Sequence, residues 1–155
     1  MVGAFFWDSS ALVKRYVAET GTSWVQEITD TSARNALVVA RITWVEVQSA
    51  LARRQREGSL TTEQVADSIR AFRYDWDVQY LVVDLDQPLA ERAGQLVRKH
   101  ALRAYDAVQM AAALLVQPSF ANSMHTLLTF VASDDRLLTA AQAEGLQTDN
   151  PNHHP

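Results

Sequence analysis

Four acidic side chains stand in apolar surroundings, where a carboxylate is costly to bury. Asp8 and Asp134 follow apolar runs of strand length, and Glu46 and Asp106 each interrupt an apolar stretch. A buried carboxylate must be paired, must cap a helix or must bind a cation. If all four meet in one pocket, their repulsion favours a divalent cation. Oxygen ligands in a chain without cysteine select Mg²⁺ or Mn²⁺ rather than zinc.

Each acid also has a purely structural explanation. Asp8 and Asp134 could cap the helices that follow them. Asp106 lies in the first turn of a predicted helix, where the helix dipole stabilises a negative charge. Glu46 could pair with Arg41 or Arg53. Taken singly, the acids leave both explanations open, and only their joint placement favours a site.

The elements that must position these acids alternate between strands and helices. Apolar runs predict strands over 4–7, 36–40, 79–84 and 127–132. Amphipathic or apolar stretches predict helices over 10–18, 23–31, 43–57, 61–76, 86–100, 104–116 and 134–144. This order predicts an α/β domain with a mostly parallel central sheet flanked by helices on both faces. Sites in such sheets lie beyond the carboxyl ends of the strands, where Asp8 and Asp134 fall.

Three local signals set helix ends within this scheme. Ser23 with Gln26, and Thr61 with Gln64, have capping-box spacing, and Gly58 is typical of a helix C-terminus. Two further acids, Asp84 and Asp86, lie at the end of the predicted strand over 79–84.

The composition indicates one ordinary domain. The chain has 155 residues, of which 48% are apolar and 21% charged, and no apolar run approaches the length of a membrane span. We predict a domain over 1–150 and a disordered polar tail over 151–155. The absence of cysteine and of a signal-like N-terminus predicts a cytoplasmic protein.

Four segments resemble, in chain order, the motifs of PIN-domain ribonucleases. The segments are FWDSSALVKRY at 6–16, WVEVQSAL at 44–51, LRAYDAVQMAAA at 102–113 and FVASDDRL at 130–137. The resemblance covers about residues 3–148, and the length and motif order look like those of the VapC-type toxins of toxin–antitoxin pairs. One departure is Ala132, where the family often has threonine, a position for which Ser133 could substitute. The pair Asp134–Asp135 leaves the register of the fourth acid open.

The resemblance implies a Mg²⁺- or Mn²⁺-dependent endoribonuclease that cleaves single-stranded or structured RNA by metal-activated water. Asp8 and Asp106 would be direct metal ligands, Glu46 and Asp134 would complete the catalytic cluster, and Ser10 would support the site by hydrogen bonding. It also implies a cognate antitoxin and a homodimer, with the apolar faces of the helices between residues 43 and 76 as the expected contact.

Basic residues near these acids are candidates for binding RNA. The net charge is −4, which argues against coating nucleic acid by bulk electrostatics, but without the four acids 14 acidic residues balance 14 basic ones. The candidates are Lys14, Arg15, Arg53 and Arg103. The alternative, that Arg53 belongs to a solvated helix end, stays open.

Two rival functions remain at this stage. Asp84 and Asp86 have the spacing of phosphatases that form an aspartyl phosphate, although Gln87 and Pro88 follow where glycine and threonine would be expected. A non-catalytic interaction protein on the same fold is the other possibility.

Overall fold

The computed structural model describes residues 2–155, and within them the chain forms one five-stranded sheet. The strands are β1 (Ala4–Trp7), β2 (Ala36–Ala40), β3 (Tyr80–Val83), β4 (Leu128–Val131) and β5 (Gln147–Asp149). Their spatial order is β3-β2-β1-β4-β5, and every neighbouring pair is parallel. The first strand is therefore central, and its two neighbours come from distant parts of the chain.

Helices cover both faces of this sheet. They are α1 (Ser9–Leu12), α2 (Thr22–Thr29), α3 (Thr43–Arg56), α4 (Thr62–Val78), α5 (Gln87–Lys99), α6 (Ala104–Met124) and α7 (Asp135–Ala143), and 3₁₀ turns lie at Val13–Arg15, Thr31–Ala33 and Pro151–His153. The predicted α/β architecture with a parallel sheet is confirmed. Among residues 2–155, no helix combines the length and apolar character needed to cross a lipid bilayer.

The sheet divides the interior into two apolar cores. Successive side chains of β1 point to opposite faces, so that Phe6 packs into the core under α5, α6 and α7, and Trp7 packs into the core under α1 to α4. Both side chains are fully buried. Burial on both faces explains why β1, β2 and β4 are nearly continuous apolar runs rather than alternating ones.

The helix ends depart from the sequence prediction at the start of the chain. The first helix stops at Leu12 and continues as a 3₁₀ turn to Arg15. The predicted capping box at Ser23 is wrong, because α2 begins at Thr22 after Gly21, whose φ of 87° suits glycine. The capping box of Thr61 and the positive φ of Gly58 are confirmed.

The sixth helix is longer than its apolar pattern predicts. It continues through Pro118 to Met124, although a proline removes one backbone hydrogen bond. Phe120 packs back into the core beyond the proline, and this packing compensates for the lost bond. Strand β5 has only three residues, all polar, and sequence periodicity gave no signal for it.

The C-terminal residues are ordered rather than forming the disordered tail predicted over 151–155. Asn150 caps the turn Pro151–His153, and the His154 ring stacks on Trp24 with the ring centroids 4.3 Å apart. His154 Nε2 also lies 2.8 Å from Asp149 Oδ1. Stacking on Trp24 and capping by Asn150 therefore hold in place a segment whose polar composition is typical of a disordered chain end.

Candidate active site

The four acids predicted from the sequence line one cavity of about 770 Å³ at the carboxyl edge of the sheet. Because β1 and β4 are neighbours, Asp8 and Asp134 follow adjacent strands. Glu46 lies in the first turn of α3 and Asp106 in the first turn of α6. Residues that span most of the sequence thus meet at one place.

Asp8 occupies the most enclosed position. Its side chain is the N-cap of α1, and Oδ2 accepts hydrogen bonds from the Ser10 amide (3.1 Å) and the Ser10 hydroxyl. Oδ1 is buried and has no hydrogen-bond partner among residues 2–155. The pKa of Asp8 is raised to about 7, first by burial and also by the negative charges of Glu46 and Asp106, while the Ser10 bonds oppose the rise.

Ser10 and Ser133 join the two strand ends beneath the acids. The Ser133 amide donates to Ser10 Oγ at 3.0 Å, and Ser133 Oγ donates to the Ser10 carbonyl at 3.2 Å. Ser10 Oγ therefore accepts one bond while it donates another to Asp8. These bonds fix the orientation of the Asp8 carboxylate relative to the end of β4.

Gln109 is a site residue that the sequence interpretation missed. It is fully buried, and its Nε2 donates to Glu46 Oε1 at 2.7 Å and to Thr43 Oγ1 at 2.8 Å. The sequence did contain a signal for Gln109. It is a polar amide within an apolar helix, and it lies three residues after Asp106, so the two side chains are neighbours on the helix surface. Burial raises the pKa of Glu46 and the Gln109 hydrogen bond lowers it, with burial the larger effect. Glu46 does not pair with Arg41, which instead binds Asp84.

The remaining two acids are more open to solvent. Burial raises the pKa of Asp106, the charge of Asp134 adds to the rise, and Arg103 opposes it. Asp134 caps α7 by accepting from the amides of Arg136 and Leu137, so it is both a cap and part of the cavity wall. The adjacent Asp135 instead accepts from Asn150 and lies outside this cavity.

The chemistry of this donor set fits a divalent cation. Oδ1 of Asp8 is a buried, unpartnered oxygen. Besides burial, neighbouring carboxylates raise the pKa values of Asp8, Glu46 and Asp106, and a bound cation would oppose this effect. Across residues 2–155, however, no three acidic or histidine side chains are gathered closely enough to hold an ion as they stand. We expected carboxylates already close enough to share a cation. Instead, Asp8, Glu46 and Asp134 accept hydrogen bonds from Ser10, from Gln109 and from the first turn of α7.

The basic candidates divide into two groups. Lys14, Arg53 and Arg103 line the cavity, whereas Arg15 does not. The Arg15 guanidinium turns the other way and donates to Gln79 and Tyr80 at 2.8 Å each. The prediction that Arg15 contacts RNA near the site is therefore not supported, because these half-buried contacts occupy it.

A short chain of charges that sequence reasoning did not identify borders the cavity. Arg54 donates to Glu19, and Glu19 lies 3.4 Å from Lys14 Nζ. Lys14 is 6% exposed, so its ammonium group depends on this partner. The Glu19 contact directs a buried lysine along the wall that also carries Asp8.

The alternative acidic pair does not form a site of this kind. Asp84 is exposed and bound to Arg41, and Asp86 caps α5 by accepting from the Leu89 amide at 3.0 Å. Neither residue lines the acidic cavity. Capping and a surface ion pair account for both carboxylates.

Comparison with known proteins agrees with this arrangement. The profile of the PIN domain matches residues 5–141. The protein named Ribonuclease VapC45 from Mycobacterium tuberculosis (strain CDC 1551 / Oshkosh) is 35% identical over 144 residues, which is 90% of each chain. Among solved structures, a toxin–antitoxin complex from Klebsiella pneumoniae aligns with a TM-score of 0.62 at 16% identity over 94% of this chain and 96% of that one. VapBC2 from Rickettsia felis, bound to a DNA fragment from its promoter, aligns with a TM-score of 0.59 at 12% identity over 95% and 98%.

Proposed function

This chain belongs to the PIN-domain family and, within it, to the VapC-type proteins, and from that premise we propose that it is a Mg²⁺- or Mn²⁺-dependent endoribonuclease. We further propose that it acts in the cytoplasm as the toxin of a toxin–antitoxin pair. The observation that carries the proposal is the convergence of four carboxylates on one cavity, with a buried and unpartnered oxygen on Asp8. The ribonuclease name of the relative that is 35% identical supports the same activity.

In this proposal the carboxylates hold the cation and the polar neighbours hold the carboxylates. Asp8 and Asp106 are the direct ligands, and Glu46 and Asp134 complete the cluster. When bound, the cation supplies charge neutralisation at the phosphate and activation of the attacking water. Ser10 orients Asp8 through the bonds to Oδ2.

The remaining cavity residues favour this chemistry over a general base from the protein. Within residues 2–155, no histidine lines the cavity, and Lys14 is engaged with Glu19. Arg53 and Arg103 are exposed on its wall and can contact phosphates. Because water and not the ribose 2′-hydroxyl attacks in this mechanism, the products should carry a 5′-phosphate and a 3′-hydroxyl.

The experiment is cleavage of a long RNA by the purified protein, with Mg²⁺, with Mn²⁺ and with EDTA. We expect cleavage with either metal and none in EDTA. Asp8→Ala and Asp106→Ala should each reduce the rate by orders of magnitude, because each removes a ligand and its charge. Asp84→Asn is the matched control, since Asp84 also follows a strand but lies outside the cavity, and it should cleave like the parent.

Four results would contradict the proposal. Full activity in EDTA would exclude a metal-dependent mechanism, and a 2′,3′-cyclic phosphate would identify the 2′-hydroxyl as the nucleophile. Loss of activity in Asp84→Asn with retention in Asp8→Ala would favour the aspartyl-phosphate alternative. If no RNA is cut but Mn²⁺ still binds, the non-catalytic interaction protein becomes the better description.

The toxin role and the homodimer are tested separately. Induced expression of the parent should arrest cell growth, and Asp8→Ala should not, because arrest depends on cleavage. For the dimer, the expected contact is the apolar face of the helices between residues 43 and 76, where Tyr74 of α4 is 67% exposed. A monomer in sedimentation at high concentration would remove the dimer without affecting the proposed chemistry.

A further inference from the structure

Two exposed apolar side chains stand at the mouth of the acidic cavity. Val45 on α3 is 63% exposed and Tyr105 on α6 is 60% exposed, and both line the cavity. Each directly precedes one of the acids, Glu46 or Asp106. The cavity therefore combines four carboxylates with two exposed apolar side chains, Val45 and Tyr105, which we call the rim.

Hydrogen bonds from Gln109 join the N-terminal parts of α3 and α6, which carry these two side chains. Gln109 joins the helices by donating to Thr43 and Glu46, which flank Val45 in sequence. Tyr105 lies one turn before Gln109, and residues four apart lie on the same side of a helix. Tyr105 thus stands on the part of α6 that faces the start of α3.

Basic side chains also line the cavity near the rim, on α3 and just before α6. Val45, Ser49 and Arg53 are spaced by four residues, all three are exposed, and all line the cavity. Along the helix axis, Arg53 lies about 12 Å from Val45. On the other wall Arg103 precedes Tyr105 by two residues, and neither arginine forms an ion pair with any residue in 2–155.

These features match a nucleic-acid strand better than a protein partner. An aromatic ring beside a cationic wall binds single strands by stacking a base and contacting the backbone. Nucleotides in a stacked strand are spaced by roughly 3.4 Å along the axis. The separation between Val45 and Arg53 is larger, so Arg53 reaches a phosphate beyond the nucleotide whose base lies at the rim.

We propose that Tyr105 and Val45 form a site for one unpaired nucleobase, and that Arg53 and Arg103 hold the flanking phosphates. This inference rests on the proposed ribonuclease function and deepens it by naming the side chains that would bind the substrate beside the acids. The substrate at the cleavage site is a single-stranded segment, loop or bulge, because a base paired within a duplex cannot stack on a side chain. Tyr105 acts by binding and positioning the strand and takes no part in the bond cleavage.

The test measures binding without cleavage, in an Asp8→Asn background with Mg²⁺. The probe is a short oligoribonucleotide that carries 2-aminopurine, used single-stranded and annealed to its complement. Stacking on Tyr105 should quench the fluorescence of the single strand as the protein saturates it, and the duplex should bind far more weakly. Tyr105→Ala should abolish the quenching and weaken binding roughly tenfold or more.

Two variants separate stacking from a general disturbance of the fold. Tyr105→Phe keeps the ring and should restore both affinity and quenching. Leu115→Ala is the matched control, because Leu115 is 50% exposed on the same helix as Tyr105 and lies outside the cavity, and it should behave like the parent. Arg53→Ala should lower the slope of log affinity against log salt by about 1 and leave the quenching intact.

The outcomes distinguish this inference from the proposed function. If the single strand binds and Tyr105→Ala changes neither affinity nor quenching, the nucleobase site is refuted, the ribonuclease stands, and the rim is left as a protein-binding surface. Equal losses in Tyr105→Phe and Tyr105→Ala would refute stacking. If the duplex binds as well as the single strand, the substrate class is wrong. If the parent protein neither cuts nor binds any RNA, both proposals fall.

Discussion

Replacement of Asp8 by asparagine should stabilise the protein when no metal is present. Asp8 is 3% exposed, and its pKa rises from 3.8 to about 7 through burial and through the charges of Glu46 and Asp106. The folded protein binds this proton more tightly than the unfolded chain does. Between these two pH values the folded state therefore holds the extra proton, and the free energy of unfolding falls as the pH rises through the window.

The size of the effect follows from the same two pKa values. Each factor of ten in proton affinity corresponds to about 1.4 kcal/mol, so the ionised Asp8 costs on the order of 4 kcal/mol above pH 7. Below pH 3.8 this cost vanishes, because the carboxyl is protonated in both states. Asparagine keeps an oxygen that can accept from the Ser10 amide, as Asp8 Oδ2 does, and carries no charge.

Urea unfolding in EDTA, measured across this pH range, checks the prediction. The parent should lose stability as the pH rises toward 7. Asp8→Asn should be the more stable protein near pH 7 and should change less with pH, with a residual slope from Glu46 and Asp106, whose pKa values are raised in the same direction. The control Asp84→Asn removes an exposed acid and should change stability by less than about 1 kcal/mol.

The same two proteins also test whether a metal ion relieves the energetic cost of ionising Asp8. Mg²⁺ or Mn²⁺ should raise the melting temperature of the parent, because an ion that binds only the folded state stabilises it, and should raise that of Asp8→Asn much less. A parent whose stability is independent of pH below 7, or an Asp8→Asn protein less stable than the parent near pH 7, would refute the reasoning.

Further predictions concern the supports of the cavity. Gln109→Leu removes the donor to Glu46 and should weaken Mn²⁺ binding roughly 10- to 100-fold in a titration, with the circular dichroism spectrum unchanged; unchanged affinity would remove Gln109 from the site. Asp106→Asn should abolish most of the metal-induced rise in melting temperature and should stabilise the metal-free protein, since burial disfavours the Asp106 charge. Gly21→Ala would place a Cβ 2.3 Å from the Pro151 carbonyl oxygen at a φ of 87°, so it should lower the free energy of unfolding by more than about 1 kcal/mol in the same urea assay. A neutral Gly21→Ala would show that the C-terminal turn contributes little.

Patterns of residues near strand ends predicted much of the site. Asp8 and Asp134 were identified because parallel strands carry their carboxyl ends to one edge, and the structure brings both to one cavity. Gln109 was missed because its two partners lie 63 and 66 residues away, a separation that periodicity does not report. Arg15 was grouped with Lys14 as neighbours in sequence, but in a 3₁₀ turn adjacent side chains point in different directions, and only Lys14 lines the cavity.

The strands likewise were predicted where their own residues carry the signal and were missed where distant residues determine them. Strands rich in apolar residues were predicted to within two residues, because their burial on both faces requires such a composition. Strand β5 has three polar residues and exists because β4 offers it an edge, so its own sequence carries no strand signal. The C-terminal turn likewise depends on the Trp24 ring, which no local pattern links to His154.

The order of strands in the sheet also determines when the cavity can exist. The central strand β1 precedes its sheet neighbour β4 by most of the domain, and Ser133 reaches Ser10 across 123 residues. Pairing between such distant segments comes late in folding, because a long loop must close first. A growing chain on the ribosome therefore carries Asp8 and Glu46 before Asp134, and its set of carboxylates is incomplete until β4 and the residues after it have been synthesised. Whatever chemistry this cavity performs can begin only after β4 has paired with β1.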